Sequence, residues 1–399
     1  MALDVDITLE EVQAAIARLQ RGKAMGIDDI PNEVFISAGS EFTKLVWAVL
    51  SLIWNSEEIP SDWKVGLVSP QFKTGDRQDV NDYRGITLLC TMGKVYGSIL
   101  DARLKAFCES PHPSLPDQPR LADEQGGFRP SRGCPEQIFA LTETIRKRKR
   151  ANLKTFCCFI DISKAYDRVF RDGLWQCLWD FGVKGKLWRV LKEMLQGSES
   201  SMVINGARLS QFGIEVGVRQ GCVLSPTLFS IFFDGLVRRI SACDRGARFS
   251  ELNGPAHLGE RLHSLFFADD IVLLAESAHD LSAMLEAVES YSVKWRFDLS
   301  KKKTEVVVFN GNAEDEEDAS EWCTLDGVSL KVSESYKYLG MDVEEEGRAW
   351  AKFKTRMLDK AEKVMRATWG LGLQNGHMAK RGAARLWTAF VRPILEYGS

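Results

Sequence analysis

Residues 264–275 read SLFFADDIVLLA, two apolar runs that flank the adjacent carboxylates Asp269 and Asp270. Short runs rich in Phe, Ile, Val and Leu predict two buried strands, with a tight turn that carries the acids at its tip. Two like charges inside an apolar hairpin are unfavourable unless a cation offsets them. The stretch alone is compatible with a solvated turn or with a cation site, and the rest of the chain has to decide between them.

Size and composition bound the class of protein. The chain has 399 residues, of which 45% are hydrophobic and 27% charged, which is typical of a soluble globular protein with two or three subdomains. No apolar run reaches the length of a membrane span, and MALDVDITLEEV does not resemble a signal peptide, so we expect an intracellular protein without a membrane partner. The nine cysteines show no zinc-type spacing and are expected to be reduced core residues.

Charge is distributed unevenly although the net charge is only −3. Residues 314–318 (EDEED) are predicted to form an acidic loop that faces solvent. The block Arg146–Arg150 suits a phosphate-facing groove, a solvated helix end or a nuclear-import signal, and these interpretations stay open. Arg129 and Arg132, in the Gly/Pro loop EQGGFRPSRG, suit phosphate contact, although arginine is also common on any exposed loop.

A third carboxylate ends another apolar run. Residues 156–161 (FCCFID) predict a buried strand that terminates in Asp161, ahead of a turn and a helix that begins near Asp172. In an α+β palm, strand tips that carry Asp161 and Asp269–Asp270 meet at the sheet centre. Three converging carboxylates are best explained by divalent metal, two Mg²⁺ ions or alternatively Mn²⁺, which clamp an in-line phosphoryl displacement.

The remaining pattern predicts mixed helices and strands. Thr8 and Glu11 form a capping box for a helix that Gly22 ends, and residues 111–119 (PHPSLPDQP) predict a loop. Other predicted elements are a helix at 40–55 with the apolar stripe Leu45, Val49, Leu52 and Ile53, a two-stranded finger at 65–71 and 83–89, a helical stretch at 174–195, a hairpin at 201–212 that turns at Asn205-Gly206, and a last hairpin that joins 328–332 to 336–343.

Five motifs, in this order, carry a family resemblance. DISKAYDRV (161–169), GVRQGCVLSPTLFSIFF (217–233), FFADD (266–270), LSKKKTEVVVF (299–309) and YKYLGMDV (336–343) resemble the palm motifs of reverse transcriptases of non-LTR (LINE-type) retrotransposons. FKTGDRQDVNDYRGITLL and EQGGFRPSRG resemble the fingers of the same enzymes. GKAMGIDDIPNE resembles their N-terminal extension, although AMGIDD departs from the usual Pro/Gly loop.

The resemblance implies roles for the acidic and basic residues. Asp161, Asp269 and Asp270 resemble the catalytic, metal-binding acids, with Asp161 and Asp269 as the metal-bridging pair and Asp270 as their adjacent partner. Lys303 resembles the lysine proposed as general acid toward pyrophosphate, a role for which Lys301 and Lys302 compete.

Other residues resemble substrate contacts. Lys73 and Arg84 match finger residues that neutralise a triphosphate, and Tyr166 occupies a steric-gate position against a 2′-hydroxyl. Gln220 and Gly221 match residues beside the incoming base and template. Tyr338, Leu339 and Gly340 resemble the primer grip.

The resemblance therefore implies an α+β right-hand polymerase with fingers, an RRM-like antiparallel palm sheet with helices, and a truncated helical thumb. Its predicted domains are an N-terminal extension (1–62), fingers (63–155), a palm (156–343, with 176–217 as a candidate addition to the fingers) and a partial thumb (344–399). The chain is expected to be one domain of a larger element or a fragment.

The implied function is RNA-directed DNA synthesis from a DNA primer with dNTPs on an RNA template, with assembly in the cytoplasm and action in the nucleus. The alternative is a catalytically silent remnant that binds RNA or DNA. An RNA-dependent RNA polymerase is disfavoured by Tyr166 and by Gln220-Gly221. The sequence leaves the oligomeric state open.

Overall fold

The structure is a computed structural model that describes residues 3–204, 206–248, 261–344, 349–368 and 380–396. Two compact units divide the chain. Unit 1 comprises Met1–Arg129, Ile162–Ala242 and Val288–Leu299, and unit 2 comprises Pro130–Asp161, Cys243–Ala287 and Ser300–Ser399. Helices and mostly antiparallel sheets occur in both, which confirms the predicted α+β class.

The helices are α1 (Leu9–Ala17), α2 (Asn32–Ser37), α3 (Ser40–Ser56), α4 (Ser61–Lys64), α5 (Thr91–Cys108), α6 (Cys134–Arg150), α7 (Arg171–Phe181), α8 (Gly185–Leu195), α9 (Ser225–Ala242), α10 (Ala278–Trp295), α11 (Ala313–Trp322), α12 (Ala349–Thr368), α13 (Lys380–Leu386) and α14 (Arg392–Leu395). Short 3₁₀ turns occur at Val80–Asp82 and Ala165–Arg168, and a π-helical turn occurs at Trp387–Val391. Within the described ranges, no helix is both long and apolar enough to cross a bilayer.

The strands are β1 (Val65–Phe72), β2 (Tyr83–Leu88), β3 (Pro111–His112), β4 (Leu115–Pro119), β5 (Thr155–Asp161), β6 (Glu199–Ile204), β7 (Ala207–Arg208), β8 (Phe212–Gly213), β9 (Ala247–Arg248), β10 (Arg261–Leu262), β11 (Ser264–Phe267), β12 (Asp270–Ala275), β13 (Glu305–Phe309), β14 (Thr324–Leu325), β15 (Val328–Ser329), β16 (Lys331–Val332), β17 (Ser335–Tyr338) and β18 (Met341–Glu344).

Unit 1 contains the sheet β2-β1-β6-β7, in which β8 also pairs with β6. Its helix α1 begins with the predicted capping box between Thr8 and Glu11, although the helix ends at Ala17 rather than Gly22. Arg103 on α5 is 4% exposed and forms a bidentate ion pair with Glu11, with both N–O distances at 2.7 Å. Burial of such a cation is tolerated because a carboxylate and backbone carbonyls together satisfy its donors.

Unit 2 is built on the sheet β11-β12-β5-β13-β16, antiparallel except for the β13–β16 pair. The central strand β5 is buried from Thr155 to Ile160, as expected for an apolar run with sheet neighbours on both sides. One core cluster packs Phe159 and Val307 of the sheet with Leu141 of α6 and Tyr338 of β17. The sheet therefore holds its acid-bearing strand tips on a rigid base.

The predicted apolar stripe of α3 is wrong at three of four positions. Leu45, Val49 and Leu52 are 65%, 44% and 69% exposed, whereas Ile53 is buried as predicted. The helix also buries Val46, Leu50 and Trp54. Apolar residues occur on more than one side of α3, so helical periodicity does not single out the buried face.

Two predicted elements are divided or joined differently. The finger hairpin β1–β2 forms, but β6 pairs in parallel with β1 from Val65↔Glu199 to Val68↔Met202, so the hairpin is not a separate two-stranded finger. The helical stretch 174–195 breaks into α7 and α8 because Gly182 adopts a left-handed C-cap with φ of 102°. The hairpin β6–β7 forms as predicted, but Asn205 of its turn lies outside the described residues.

Three loop or hairpin predictions are corrected. The Pro-rich segment 111–119 forms the two-stranded ribbon β3–β4. Residues 314–318 belong to helix α11, because Asn312 and Asp315 form a capping box and Asp315 forms a 2.7 Å ion pair with Lys154. Strand β17 pairs with β18, whereas β15 pairs with β14 and β16 with β13, so the predicted last hairpin has the wrong partner.

Two basic residues considered for phosphate contact are structural. Arg148, in the centre of the basic block, is 2% exposed and forms a 2.8 Å ion pair with Glu276. Arg129 is 6% exposed and binds both carboxylate oxygens of Glu109 at 2.8 Å. Both guanidinium groups also donate to backbone carbonyls, so neither side chain faces a ligand.

Candidate active site

Two strand tips of unit 2 place carboxylates side by side. Antiparallel pairing of β5 with β12 sets Asp161 directly opposite Asp270. The β11–β12 hairpin closes through Ala268-Asp269, between the paired residues Phe267 and Asp270. Ala268 has φ of 57°, a left-handed conformation unfavourable for a residue with a Cβ. The predicted hairpin with acids at its tip is therefore correct, and its turn is strained.

The carboxylates share an unfavourable electrostatic environment. Burial, followed by the neighbouring charges of Asp269 and Asp161, raises the pKa of Asp270 to about 6. Tyr336 stacks on Phe159 with ring centroids 4.3 Å apart, and burial together with Asp161 and Asp270 raises the pKa of its hydroxyl to about 12. A cation beside these strand tips would relieve the repulsion between the acids.

The lysine-rich turn after α10 lies against the backbone of Asp161. Ser300 donates its N–H to the carbonyl of Asp161 at 2.8 Å, and the N–H of Asp161 donates to Thr304 Oγ1 at 3.3 Å. Lys303 Nζ lies 3.6 Å from Asp161 Oδ2, whereas Lys301 forms a 2.9 Å ion pair with Asp326. The geometry therefore places Lys303, rather than its competitor Lys301, beside the acids.

Thr304 is a contact that the sequence reasoning missed. Its side chain is fully buried, and it anchors one end of the turn that carries Lys303. The available signal was a polar residue directly before the apolar run of β13. Buried hydroxyls are expected to have hydrogen-bond partners, so a threonine at that position indicated a specific contact.

The predicted metal set fits by its chemistry. Asp161, Asp269 and Asp270 offer only carboxylate oxygens, the donors that Mg²⁺ prefers, and burial together with the charges of Asp269 and Asp161 raises the pKa of Asp270. Among the residues that the structure describes, no three Asp, Glu, His or Cys side chains are grouped closely enough to hold a metal ion. The backbone brings the acids together, but their side chains do not form a ready-made ligand set.

Unit 1 carries the residue predicted as a steric gate. The ring of Tyr166 is half-buried and stacks on Phe229 of α9, with centroids 4.7 Å apart and an interplanar angle of 2°. Its carbonyl accepts the N–H of Val218 at 2.8 Å. Tyr166 is therefore held by packing and by the loop that leads to Gln220 and Gly221.

Gly221 makes a close approach, but to a strand of its own unit. Its φ is 110°, and a Cβ added there would lie 2.5 Å from the carbonyl oxygen of Thr87 on β2. The N–H of Thr87 donates to the carbonyl of the adjacent Gln220 at 2.6 Å. The fold of unit 1 itself therefore requires glycine at this position. The role near the template stays a separate prediction.

The predicted triphosphate ligands are exposed on the β1–β2 hairpin. Arg84 lies on β2 opposite Gln71, and Lys73 follows the end of β1. The N–H of Lys73 donates to the carbonyl of Asp82 at 2.8 Å, which orders the start of the turn. Burial raises the pKa of Asp167, an effect that Lys164 and Lys73 oppose.

The predicted primer grip is a tight turn of unit 2. Leu339 and Gly340 have φ of 46° and 86° and connect the paired residues Tyr338 and Met341. Tyr338 is 1% exposed within the unit 2 core, so its side chain is a packing residue. Arg356 of α12 donates to the carbonyl of Gly340, so this part of the turn backbone already has a partner within unit 2.

Comparisons with known proteins agree on one family. Residues 73–343 match the family described as reverse transcriptase (RNA-dependent DNA polymerase). The chain is 27% identical over 410 residues to the RNA-directed DNA polymerase from mobile element jockey of Drosophila funebris, covering 100% of this chain and 42% of that protein. It is 25% identical over 403 residues to the probable RNA-directed DNA polymerase from transposon BS of Drosophila melanogaster, covering 98% and 42%.

A solved structure is more distantly similar. Apo telomerase from Candida tropicalis, truncated from its C-terminal domain, covers 75% of this chain and 58% of its own with a TM-score of 0.47 and 12% identity. A likeness of that size carries no argument about function.

Proposed function

Because the chain belongs to the reverse transcriptase (RNA-dependent DNA polymerase) family, we propose that it extends a primer 3′-hydroxyl with deoxynucleotides on an RNA template. The family match and the relatives from jockey and BS elements confirm the predicted relation to non-LTR retrotransposons and the right-hand polymerase class. The chain spans 42% of the length of the jockey relative, so the activity of the whole protein is part of the proposal.

The observation that carries the proposal is the pairing of Asp161 with Asp270 across β5 and β12, with Asp269 in the adjoining turn. Three acids on rigid strand tips are suited to phosphoryl transfer, which depends on positioning and charge neutralisation. These acids would hold two Mg²⁺ ions. Bound there, the ions would activate the 3′-hydroxyl as a nucleophile and offset charge on the α-phosphate and on the leaving pyrophosphate.

Lys303 supplies the proton in this proposal. Its ammonium group lies 3.6 Å from Asp161 Oδ2, and its side chain is 71% exposed, so it is available to a ligand beside the acids. A protonated lysine can donate to the departing pyrophosphate as a general acid. The hydrogen bond from the Ser300 N–H to the carbonyl of Asp161, and the one from the Asp161 N–H to Thr304 Oγ1, support this placement of the lysine turn.

Unit 1 supplies the proposed nucleotide contacts. The flat stack of Tyr166 on Phe229 supports a fixed ring that excludes a 2′-hydroxyl. Exposure of Lys73 and Arg84 on one hairpin supports their proposed contact with a triphosphate. An RNA template, a DNA primer and dNTPs are the proposed partners, and the proposed locations are the cytoplasm for assembly and the nucleus for synthesis.

Primer extension tests the proposal directly. The purified chain, an RNA template with an annealed DNA primer, dNTPs and Mg²⁺ are expected to give extended primer, and removal of Mg²⁺ with EDTA is expected to stop it. Asp269→Ala should abolish extension while leaving template binding unchanged. Asp318→Ala is the matched control, because Asp318 is an exposed acid of unit 2 that lies on helix α11, outside the strand tips and the lysine-rich turn.

Absence of extension by the wild-type chain would contradict the proposal. Retained RNA binding in that case would instead identify a catalytically silent nucleic-acid-binding protein. Equal loss of extension in Asp269→Ala and Asp318→Ala would show that the acids act through folding rather than chemistry.

A further inference from the structure

The Pro-rich ribbon β3–β4 forms one wall of a cavity for which the proposed polymerase reaction has no use. His112 and Pro113 of the ribbon and Arg120 just after it line a space of about 560 Å³ in unit 1. Helices α7, α9 and α10 form the other walls. A volume of this size lies within the range typical of small-molecule sites.

Cations dominate the lining of this cavity, which we call the ribbon cavity. Arg238 is neutralised by Asp234 at 2.6 Å, and the other oxygen of Asp234 accepts the N–H of Ala122 at 2.8 Å. Arg120 and Lys294 differ from Arg238, because neither forms an ion pair with a carboxylate in the part of the chain that the structure describes. Arg239 and Asp180 also line the ribbon cavity, so its four arginine and lysine side chains outnumber its two carboxylates and leave an excess of positive charge.

Aromatic rings hold both of these cations in place. The guanidinium of Arg120 lies 4.3 Å from the ring centre of Phe107, and its Nε donates to Ser110 Oγ at 3.0 Å. Lys294 Nζ lies 4.7 Å from the ring centre of Trp295. Cation–π contacts orient a charge without neutralising it, so both groups remain able to bind an anion.

The apolar part of the lining is rigid. Tyr291 and Trp295 are 5% and 9% exposed, and their rings contact each other with centroids 5.9 Å apart. The hydroxyl of Tyr291 donates to the carbonyl of Phe232 at 2.9 Å, which fixes the ring. An apolar floor beside two oriented cations is suited to a ligand that joins a flat ring system to an anionic group.

We propose that the ribbon cavity is an accessory binding site for a nucleoside 5′-phosphate group. Arg120 binds the phosphate through its planar fork of donors, and Lys294 binds it as a point charge. The apolar floor accommodates the base. The ligand is either a free nucleotide or one unit of a single-stranded nucleic acid, which share this chemistry. The site uses none of the carboxylates at the strand tips.

Isothermal titration of the full chain with adenosine 5′-monophosphate, in buffer with EDTA, tests the site without the polymerase reaction. A second arm uses a short single-stranded RNA, and unphosphorylated adenosine is the ligand control. The double variant Arg120→Gln/Lys294→Gln is expected to weaken binding about tenfold or more, since two charge-assisted contacts are lost. Lys184→Gln is the matched control, because its ammonium lies 5.2 Å over the Trp179 ring outside the cavity.

Loss of monophosphate affinity in the double variant would identify a free-nucleotide site, and loss of RNA affinity alone would identify a nucleic-acid contact. Unchanged affinity for both probes, or equal binding of adenosine and its monophosphate with no effect on RNA, would overturn the proposal. Lys294→Met, which keeps the aliphatic stem over Trp295, repeats the test if the double variant is poorly folded. Polymerase activity is measured separately, so its failure would leave this result intact.

Discussion

Replacing Gly221 by alanine tests whether glycine is required because the Gln220-Gly221 loop packs against β2 or because it leaves room for a substrate. The backbone of Gly221 has φ of 110°, and an alanine Cβ would meet the carbonyl oxygen of Thr87 at 2.5 Å. The added Cβ is held rigidly by the backbone of residue 221, and the oxygen that it meets belongs to the backbone of Thr87. The contact is therefore relieved only if the loop moves away from β2. That movement also breaks the 2.6 Å hydrogen bond between Thr87 and Gln220.

The expected loss of stability follows from these two contacts. A residue with a Cβ in a sparsely populated backbone region costs about 1–3 kcal/mol, and a lost hydrogen bond about 0.5–1.5 kcal/mol. We therefore expect Gly221→Ala to lower the free energy of unfolding by about 1.5–4.5 kcal/mol. Gly197→Ala is the control: its φ is 63° and nothing lies within 4 Å of an added Cβ. It should cost only about 1 kcal/mol.

Urea unfolding followed by circular dichroism, with both variants in one buffer, measures the difference. Equal destabilisation by Gly221→Ala and Gly197→Ala would refute the proposed fit to β2. Unchanged stability together with lost primer extension would instead show that Gly221 makes room for a substrate, as the family resemblance implies.

Three further substitutions have defined outcomes. Thr304→Val removes the acceptor for the Asp161 N–H and should slow single-turnover primer extension about tenfold. Thr304→Ser keeps the hydroxyl and should retain the rate. Equal rates for the two variants would exclude a positioning role of Thr304. Tyr166→Ala should admit ribonucleotides, measured as a lower ratio of kcat/KM for dNTP over rNTP, and an unchanged ratio would make the gate assignment wrong. Arg148→Met should lower the free energy of unfolding by about 3 kcal/mol, because Glu276 loses its shortest ion pair and two backbone carbonyls lose the donor that they share in Arg148. Arg150→Met, on the exposed end of α6, should change it by about 0.5 kcal/mol or less, and similar effects of the two variants would contradict a structural role of Arg148.

Local signals predicted the elements that carry the candidate chemistry. The capping box of α1, the strand Glu305–Phe309 and the hairpin around Asp269 depend on residues within a few positions of one another. Short-range hydrogen bonds and short continuous apolar runs specify such elements without help from the rest of the chain. The family motifs were recognisable for the same reason.

Other features depended on contacts between distant segments. Nothing near Val65 indicates that β6 will pair with β1, and nothing within the basic block distinguishes the buried Arg148 from its exposed neighbours. On α3, apolar residues lie on more than one side of the helix, and only packing against other elements determines that Leu50 and Trp54 are buried while Leu45 is exposed. These outcomes are decided by which surfaces meet, which a local pattern does not encode.

The stretch SLFFADDIVLLA by itself determined a hairpin with two acids at its tip, because apolar runs and a short polar turn form it locally. Tertiary structure decided what faces that tip. Strand pairing set Asp161 opposite Asp270, and the turn at 300–304 brought Lys303 within 3.6 Å of Asp161. The raised pKa of Asp270 follows from that assembly, since burial and neighbouring charges arise only when separate segments of the chain come together.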